Sequence, residues 1–573
     1  MASVISKRKG NKTYYYVVTS ARVNGQPRII NQTYLGTAER VAALVRQQSA
    51  PVPLAASAID LGLPGALWRA ADRSGAFEAL RSLWPPPRSG PSTAHYLLLA
   101  AIHRICRPGP KTAVADWYRR SILYSLWGFA PERFSSQAFR DCFDRIQTSP
   151  ELSSAADDEL EQAQSRLLEA WQGKQLLSRR VLAYDTTNFY TWVASANQRN
   201  QLAQRGHNKQ GRHNLRQVGL SYMLDGEHGL SLCHHLYPGN VSDSNELPAA
   251  LERLVRLLER HQIPRQTVTL VLDKGAAALA NTLELEQAGL GWITALPWNQ
   301  APPELRQRPS EELAPLGSAQ PGVRAAAERA LMHGKEYLCV VKYSASFASE
   351  QLHSLSTSLT KALQSLRRLA LQLAKPKARY TEKGIRNRIA RWLAAAFVSE
   401  LVSYELEQRD GRWHLSFDVD NSGLQRLLGE RLGRTTLLSN RLDWSAAQIV
   451  AAYNGQQHIE RVFRGLKDGD WLGWGPMYHW TDSKIRVHAF YCMLGISLLQ
   501  YLHKQAEAVW PGLSMEELTE QLRQIQQFQL LYAPQGEKGP PRVATILSKQ
   551  TLAQQSLAQA LQLDQLTASS AGR

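Results

Sequence analysis

Hydrophobic periodicity changes several times along the chain, and each change marks an element. Near the start, TYYYVVTSARV and QPRIINQTYLG alternate as paired strands do, and they flank Asn24-Gly25, the pair favoured in a type I′ turn. Residues 1–50 therefore read as a small basic β-hairpin module. From 51 to 178 apolar residues recur at helical spacing, across Gly65–Trp84, in HYLLLAAIHRIC from His95, and in VADWYRRSILYSLWG from Val114.

Residues 181–296 are the most legible part. VLAYD, Val181 to Asp185, reads as a short buried strand ending in an acid. RQVGLSYML and GLSLCHHLYP form a hairpin around Asp225-Gly226. From Asn245, Leu247, Leu251, Leu254 and Leu258 keep helical spacing, with Pro248 tolerated in the first turn. TVTLVLD, Thr267 to Asp273, is a β-branched run stopped by Lys274-Gly275; a helical AAALANTLELEQAG and a last strand, WITAL at Trp292–Leu296, follow. The order is β-β-β-α-β-α-β. A meander followed by helix-linked strands is the arrangement of the RNase H-like fold, in which strand one lies beside strand four with both ends facing the same side. That architecture brings Asp185 and Asp273 together.

The rhythm is lost after Asn299, where a Pro-containing stretch precedes a strand candidate at Tyr337–Tyr343, a long basic helical run from Ser354 to Val398, and a hairpin candidate at Asp410-Gly411. Residues 301–430 read as an insertion, with the main domain made of 179–300 and 431–510. Residues 511–573 are Gln-rich and helical in pattern, as in QQSLAQALQL, which suggests a docking or self-association tail. The expected fold class is α/β: an RNase H-like mixed β-sheet flanked by helices, a large insertion before the final helix, and a helical N-terminal region.

At 573 residues the chain exceeds what one core usually organises. A formal charge of +18 from 67 Lys+Arg points to a polyanionic partner, nucleic acid first and a membrane surface second. No stretch approaches about 18 uninterrupted apolar residues, and MASVISKRKGNK lacks the apolar core of a secretory signal, so a cytoplasmic, nucleoid-associated protein with no membrane partner is expected. Arg104, Arg107, Lys111, Arg119 and Arg120 stand among the apolar positions of 51–178; a solvated helix face and contact with a DNA end both account for them, and on the second reading 51–178 is a helical DNA-binding region. Five cysteines without a C-x-x-C pair suggest neither a disulfide framework nor a zinc ribbon. Cys233-His234-His235 alternates across a strand and cannot chelate as a unit, which leaves a core cysteine and surface histidine. No phosphate-binding glycine motif appears, so no nucleotide cofactor is implied.

SAAQIVAAYNGQQHIERVFRGLKDGD begins with Ser445 as a helix N-cap and reads as one helix to about Lys467. At about 100° per residue, Tyr453, Gln456, Glu460, Arg464 and Lys467 fall within an arc of roughly 80°. An i,i+4 ion pair between Glu460 and Arg464 on a wet surface is one reading of that edge. The spacing Tyr453-x-x-Gln456-x-x-x-Glu460, with Lys467 seven further on, resembles the Tyr-Arg-Glu-Lys signature of bacterial insertion-sequence DDE transposases. YDTTNFY from Tyr184, RGHNKQGRHNLRQVGL from Arg205, YPGNVSD from Tyr237, LDKG from Leu272, IERVFRGLKD and YHWTDSKIRVHAF resemble consecutive segments of the same family, covering most of 181–502. The N-terminal hairpin and Arg104-x-x-Arg107-Pro resemble it less distinctively.

The resemblance implies a DNA transposase whose catalytic and metal-binding residues are Asp185, Asp273 and Glu460. Two Mg²⁺ ions, with Mn²⁺ as an alternative, would be held by these carboxylates, because Mg²⁺ demands hard oxygen ligands. It also implies double-stranded DNA partners, the terminal inverted repeats and the target, and a homodimer in the synaptic complex. Tyr453, Gln456, Arg464 and Lys467 become contacts to a DNA end. His207, Lys209 and Arg212, with Asn208 between them, form a basic cluster that either meets phosphates or caps a hairpin. Trp298 either stacks an exposed base or packs. The chain departs from the signature at Gln456, a neutral amide where the family has arginine. It departs also in the 187 positions between Asp273 and Glu460, which fits an insertion. Two other readings share parts of this evidence in the sequence: a catalytically decayed DNA-binding protein, and an RNase H-like nuclease without strand transfer.

Overall fold

The computed structural model describes residues 2–10, 12–23, 26–41, 53–148, 158–178, 180–207, 211–273, 279–317, 320–375, 380–409, 411–469, 471–475, 477–533 and 541–566. The chain divides into two compact units, one made of Met1–Ala66, Trp117–Gly128 and Glu517–Arg573, the other of Leu67–Asp116 and Phe129–Glu516.

In the first unit, Ala2–Lys9, Lys12–Val23 and Gln26–Thr37 form an antiparallel sheet, with Val23 opposite Gln26 as the hairpin required. The turn at Asn24-Gly25 lies outside the described residues. The C-terminal stretch differs from the helical expectation. Gln526–Tyr532 is a strand that pairs on one side with Arg542–Leu547 and on the other with Ala55–Asp60, inside a region expected to be helical. Helices Met515–Arg523 and Leu552–Ala560 account for the pattern that was read.

The second unit is built on a nine-stranded mixed sheet. Its strands are β1 (Val181–Thr191), β2 (Arg216–Asp225), β3 (Ser231–Pro238), β4 (Thr269–Leu272), β5 (Gly291–Ala295), β6 (Ala314–Pro315), β7 (Val323–Met332), β8 (Lys335–Ser344) and β9 (Arg434–Ser439), in the spatial order β6-β7-β8-β9-β5-β4-β1-β2-β3. The half β3-β2-β1-β4-β5 is antiparallel across β3-β2-β1 and parallel across β1-β4-β5, so strand one lies beside strand four as expected. After β3 comes α1 (Asp243–Arg260), which starts two residues earlier than its pattern suggested, so that Pro248 falls beyond the first turn. Proline has no N–H for the Ser244 carbonyl. The Asn281 amide of α2 (Leu279–Gln287) donates to that carbonyl instead, at 3.4 Å.

The stretch expected as one insertion divides in two. β6, β7 and β8 extend the main sheet through β9. Residues 345–433 form a separate body around their own core, containing α3 (Ala345–Leu373), α4 (Glu382–Leu393) and the hairpin Val402–Arg409/Arg412–Val419, whose Asp410 lies outside the described residues. VRAAAERALM hid β7 because its alanines carry little alternation.

Two helices, α5 (Ala446–Asn454) and α6 (Gln456–Lys467), then cover one face of the sheet, and Ile449 and Val450 join the core with Val181, Val271 and Ile293. The last long helix, α7 (Asp482–Glu507), has the length and composition to cross a membrane, but its most apolar window is 94% buried within the fold. It packs on β3 and on helix Thr93–Cys106.

Candidate active site

Register brings Asp185 and Asp273 together. Tyr184 lies opposite Leu272 in the parallel pair β1–β4, so the next residue of each strand is an aspartate, about 4.8 Å from the other in backbone spacing. Alternation puts both on the face covered by α5 and α6: Val181 and Val271 point into that core, and Tyr222, opposite Asp185 on β2, has its ring 6.2 Å from Phe463 of α6. Asp185 is half-buried and accepts the N–H of Thr186 at 2.7 Å; Asp273 is exposed.

Asp185 does not end its strand, as the sequence suggested. β1 runs on through Thr-Thr-Asn-Phe-Tyr-Thr, paired with β2 as far as Arg216, because β-branched and aromatic residues continue the strand. Only β4 stops, and Asp185 lies where its neighbour leaves.

The single helix expected from Ser445 to Lys467 is broken at Gly455. The start is as read, since Ser445 and Gln448 form a capping box. At the break, Gly455 N–H bonds to Ala452 and His458 N–H to Gly455, three residues back instead of four. A Cβ on Gly455 would lie 2.7 Å from the Gly226 carbonyl of the β2–β3 turn, so the junction presses on that turn where only glycine fits. The arc computed for one straight helix therefore does not hold across the junction, and Tyr453 belongs to α5. Gln456 joins the buried stripe of α6 with Ile459, Phe463 and Leu466; its side chain is buried and its Nε2 has no hydrogen-bond partner among the described residues. The expected exposed contact at Gln456 is thus corrected. Glu460, Arg464 and Lys467 remain on the exposed side of α6.

Tyr453 feels the charge of both the sheet acid and the helix acid. Burial, reinforced by the nearby carboxylates of Asp273 and Glu460, pushes its hydroxyl up to about 12. It therefore stays protonated at neutral pH, a hydrogen-bond donor beside two acids. The loop after α6 is fixed in turn: Trp474 stacks on Phe189 of β1 at 4.2 Å, and its carbonyl lies 2.9 Å from His488 Nε2.

The donor set is all carboxylate, the chemistry hard divalent cations select. Among the described residues no three His, Cys, Asp or Glu side chains converge on a single ion position. Mg²⁺ usually takes one or two carboxylates and completes its shell with water and substrate phosphate. Two sheet acids and a third on the covering helix suit ions shared with a phosphate better than one ion in a protein cage.

Lys342 was not anticipated. It sits on β8 two residues before the strand end, and its Nζ donates to Asn454 Oδ1 at 3.1 Å and lies 5.4 Å from the Tyr453 ring centroid. Burial holds its pKa below the usual lysine range. A lone cation in the apolar run YLCVVKY was the signal available. Trp298 lies half-buried just past β5, on the sheet edge that carries the aspartates. The exposed His207 accepts the Asn188 and Gln217 amides on its carbonyl, and Arg212 lies 4.9 Å from the Tyr190 ring, so both sit along the extension of β1 beyond Asp185. Lys209 and Asn208 lie outside the described residues.

Arg104 and Lys111 go to structure. Arg104 is buried and donates to the Gly475 carbonyl at 2.9 Å and the Gly473 carbonyl at 3.4 Å; Lys111 Nζ donates to the Tyr491 hydroxyl at 2.9 Å. Cys233, His234 and His235 are each only partly exposed, and burial lowers both histidines, His234 to about 3. The surface histidine read from the alternation is therefore corrected.

Fold and site together give an α/β protein in which Asp185 and Asp273 meet at one edge of a mixed sheet. The chain belongs to the transposase DDE domain family, whose sequence model matches residues 177–494, more than half its length. A divalent metal ion is general in that family. No curated protein matches the chain. Among solved structures it is similar to the piggyBac transposase in a cryo-EM synaptic complex with hairpin DNA, at 10% identity over 82% of each chain, with a TM-score of 0.34.

Proposed function

We propose that this protein is a bacterial insertion-sequence transposase that binds the terminal inverted repeats of its element and catalyses end cleavage and strand transfer at Asp185, Asp273 and Glu460. The observation that carries this reading is the pairing of Asp185 with Asp273 by strand register, on the sheet face that α5 and α6 cover. Two Mg²⁺ ions, when bound by these carboxylates, would activate an attacking oxygen and stabilise the leaving one. The chain's own residues do the rest. The protonated Tyr453 donates toward the acids or a bridging phosphate oxygen, Arg464 and Lys467 meet the backbone of the end, and Trp298 receives an unstacked base. His207 and Arg212 extend the grip along the β1 extension, Lys209 of the same sequence cluster is a further phosphate contact in this reading, and two copies hold two ends. Gln456, where the chain departs from the signature, is buried and makes no DNA contact in this reading.

The test is end DNA incubated with the protein and each metal. Mg²⁺ or Mn²⁺ supports cleavage at the repeat boundary, EDTA abolishes it, and added Mg²⁺ restores it; cleavage that survives chelation sinks the metal assignment. Lys342 is a positioning residue in this account, since it would act through its contacts with Tyr453 and Asn454. Lys342→Met is expected to slow single-turnover cleavage about tenfold with end binding little changed, and Lys342→Arg to recover most of the rate. An equal loss in both variants would assign Lys342 to folding alone.

A further inference from the structure

The body formed by 345–433 leaves the sheet at the edge that carries the aspartates. β5 runs parallel to β4, β9 antiparallel to β5, and β8 antiparallel to β9. Ser344 at the end of β8 and Arg434 at the start of β9 therefore share the edge where β4 stops before Asp273. Two strand spacings across and three residues along for Arg434, and three spacings and four residues for Ser344, place that attachment about 15–20 Å from Asp273.

The stretch 345–393 is basic, with ten Lys+Arg against two Glu in the sequence; α3 carries three of the ten and α4 four. Leu366 and Leu369 of α3 and Ile385 and Ile389 of α4 turn into one core. Lys361, Arg368 and Lys375 stay exposed at seven-residue steps, which drift only about 20° in helical phase and advance about 10.5 Å; Lys375 lies just past the end of α3. Lys383 and Arg391 are exposed on the side of α4 away from the core, and Arg388, also exposed, lies 5.4 Å from the Tyr380 ring centroid. None of these six makes an ion pair among the described residues, and one of the two acids, Glu382, is already engaged by Arg386 at 2.8 Å. An ordinary solvated face interleaves both signs, as the outer side of the neighbouring hairpin does with Glu405, Glu407, Arg409 and Arg412. The cations of α3 and α4 are instead segregated, on a body rooted beside the acids.

We infer that the exposed face of α3 and α4 is a docking surface for duplex DNA, gripping the phosphate backbone of the helix that runs past the candidate centre. This rests on the reading of that centre as acting on DNA. Duplex DNA presents phosphates on a scale that cations about 10.5 Å apart along a rod can meet without reading sequence.

The test is binding of a random-sequence 30-base-pair duplex without metal, followed by fluorescence anisotropy over a salt series. The triple variant Lys361→Ser, Arg368→Ser, Lys375→Ser is expected to shallow the log–log salt slope by about 2–3, at about 0.9 per phosphate contact, and to keep the wild-type circular dichroism spectrum. Arg409→Ser with Arg412→Ser is expected to leave the slope unchanged. An unaltered slope in the triple variant overturns the inference. So does a triple variant that loses binding to anionic phosphatidylglycerol vesicles while keeping its DNA slope, which would assign the face to a membrane. No cleavage is measured, so the surface fails or stands apart from the catalytic reading.

Discussion

Asp185→Asn, Asp273→Asn and Glu460→Gln are each expected to reduce Mg²⁺-dependent cleavage of end DNA by about a thousandfold or more while leaving end binding within about threefold. The substitutions are nearly isosteric, so the sheet and α6 keep their packing. Each removes a hard anionic ligand, and losing about 4 kcal/mol of transition-state stabilisation corresponds to a thousandfold in rate. Two of the acids are exposed and the third half-buried, so their substitution leaves the packed core intact. Parallel gel-shift and single-turnover assays separate the outcomes. Near-wild-type cleavage in any one variant would remove that carboxylate from the centre.

The second large effect is on stability. Arg104 is 3% exposed, and its guanidinium donates to the carbonyls of Gly475 and Gly473, tying helix Thr93–Cys106 to the loop that follows α6. Arg104→Ala leaves those carbonyls without that donor and a space where the side chain packed. Hydrogen bonds from charged donors are worth about 1.5–3 kcal/mol each, so a loss of about 3 kcal/mol or more is expected, read as a fall in the thermal unfolding midpoint. Loss of DNA affinity with an unchanged midpoint would instead return Arg104 to the DNA-contact reading.

The strand order was legible because each element between 181 and 296 has its own period and its turns are chemically explicit. Asp185 and Asp273 were therefore placed together correctly from sequence. The length of β1 was not, because an acid followed by Thr-Thr-Asn reads as a stop, whereas pairing with β2 carries the strand to Thr191. The break at Gly455 was hidden for a different reason: it is set by the approach of the Gly226 turn, a contact from a segment more than two hundred residues earlier in the sequence. That break moved Gln456 from the expected polar edge into the core. Gln526–Tyr532 was equally opaque, since its partner strand, Ala55–Asp60, lies near the other end of the chain. Lys342 showed in the sequence only as a lone cation in an apolar run, and its place beside Tyr453 came with β8 joining the main sheet. Local patterns thus gave most elements and the placing of Asp185 beside Asp273, the family resemblance singled out Glu460, and long-range contacts decided which side chains surround them.

The central claim is that one carboxylate centre performs phosphoryl transfer onto DNA, and joining pre-cut ends tests it most directly. Duplexes ending in the 3′-hydroxyl of the inverted repeat, mixed with supercoiled target and Mg²⁺, should give covalently joined products with the wild-type protein and none with Asp273→Asn. Joined products that persist in Asp273→Asn would contradict the account, as would a wild-type protein that cleaves ends yet never joins them.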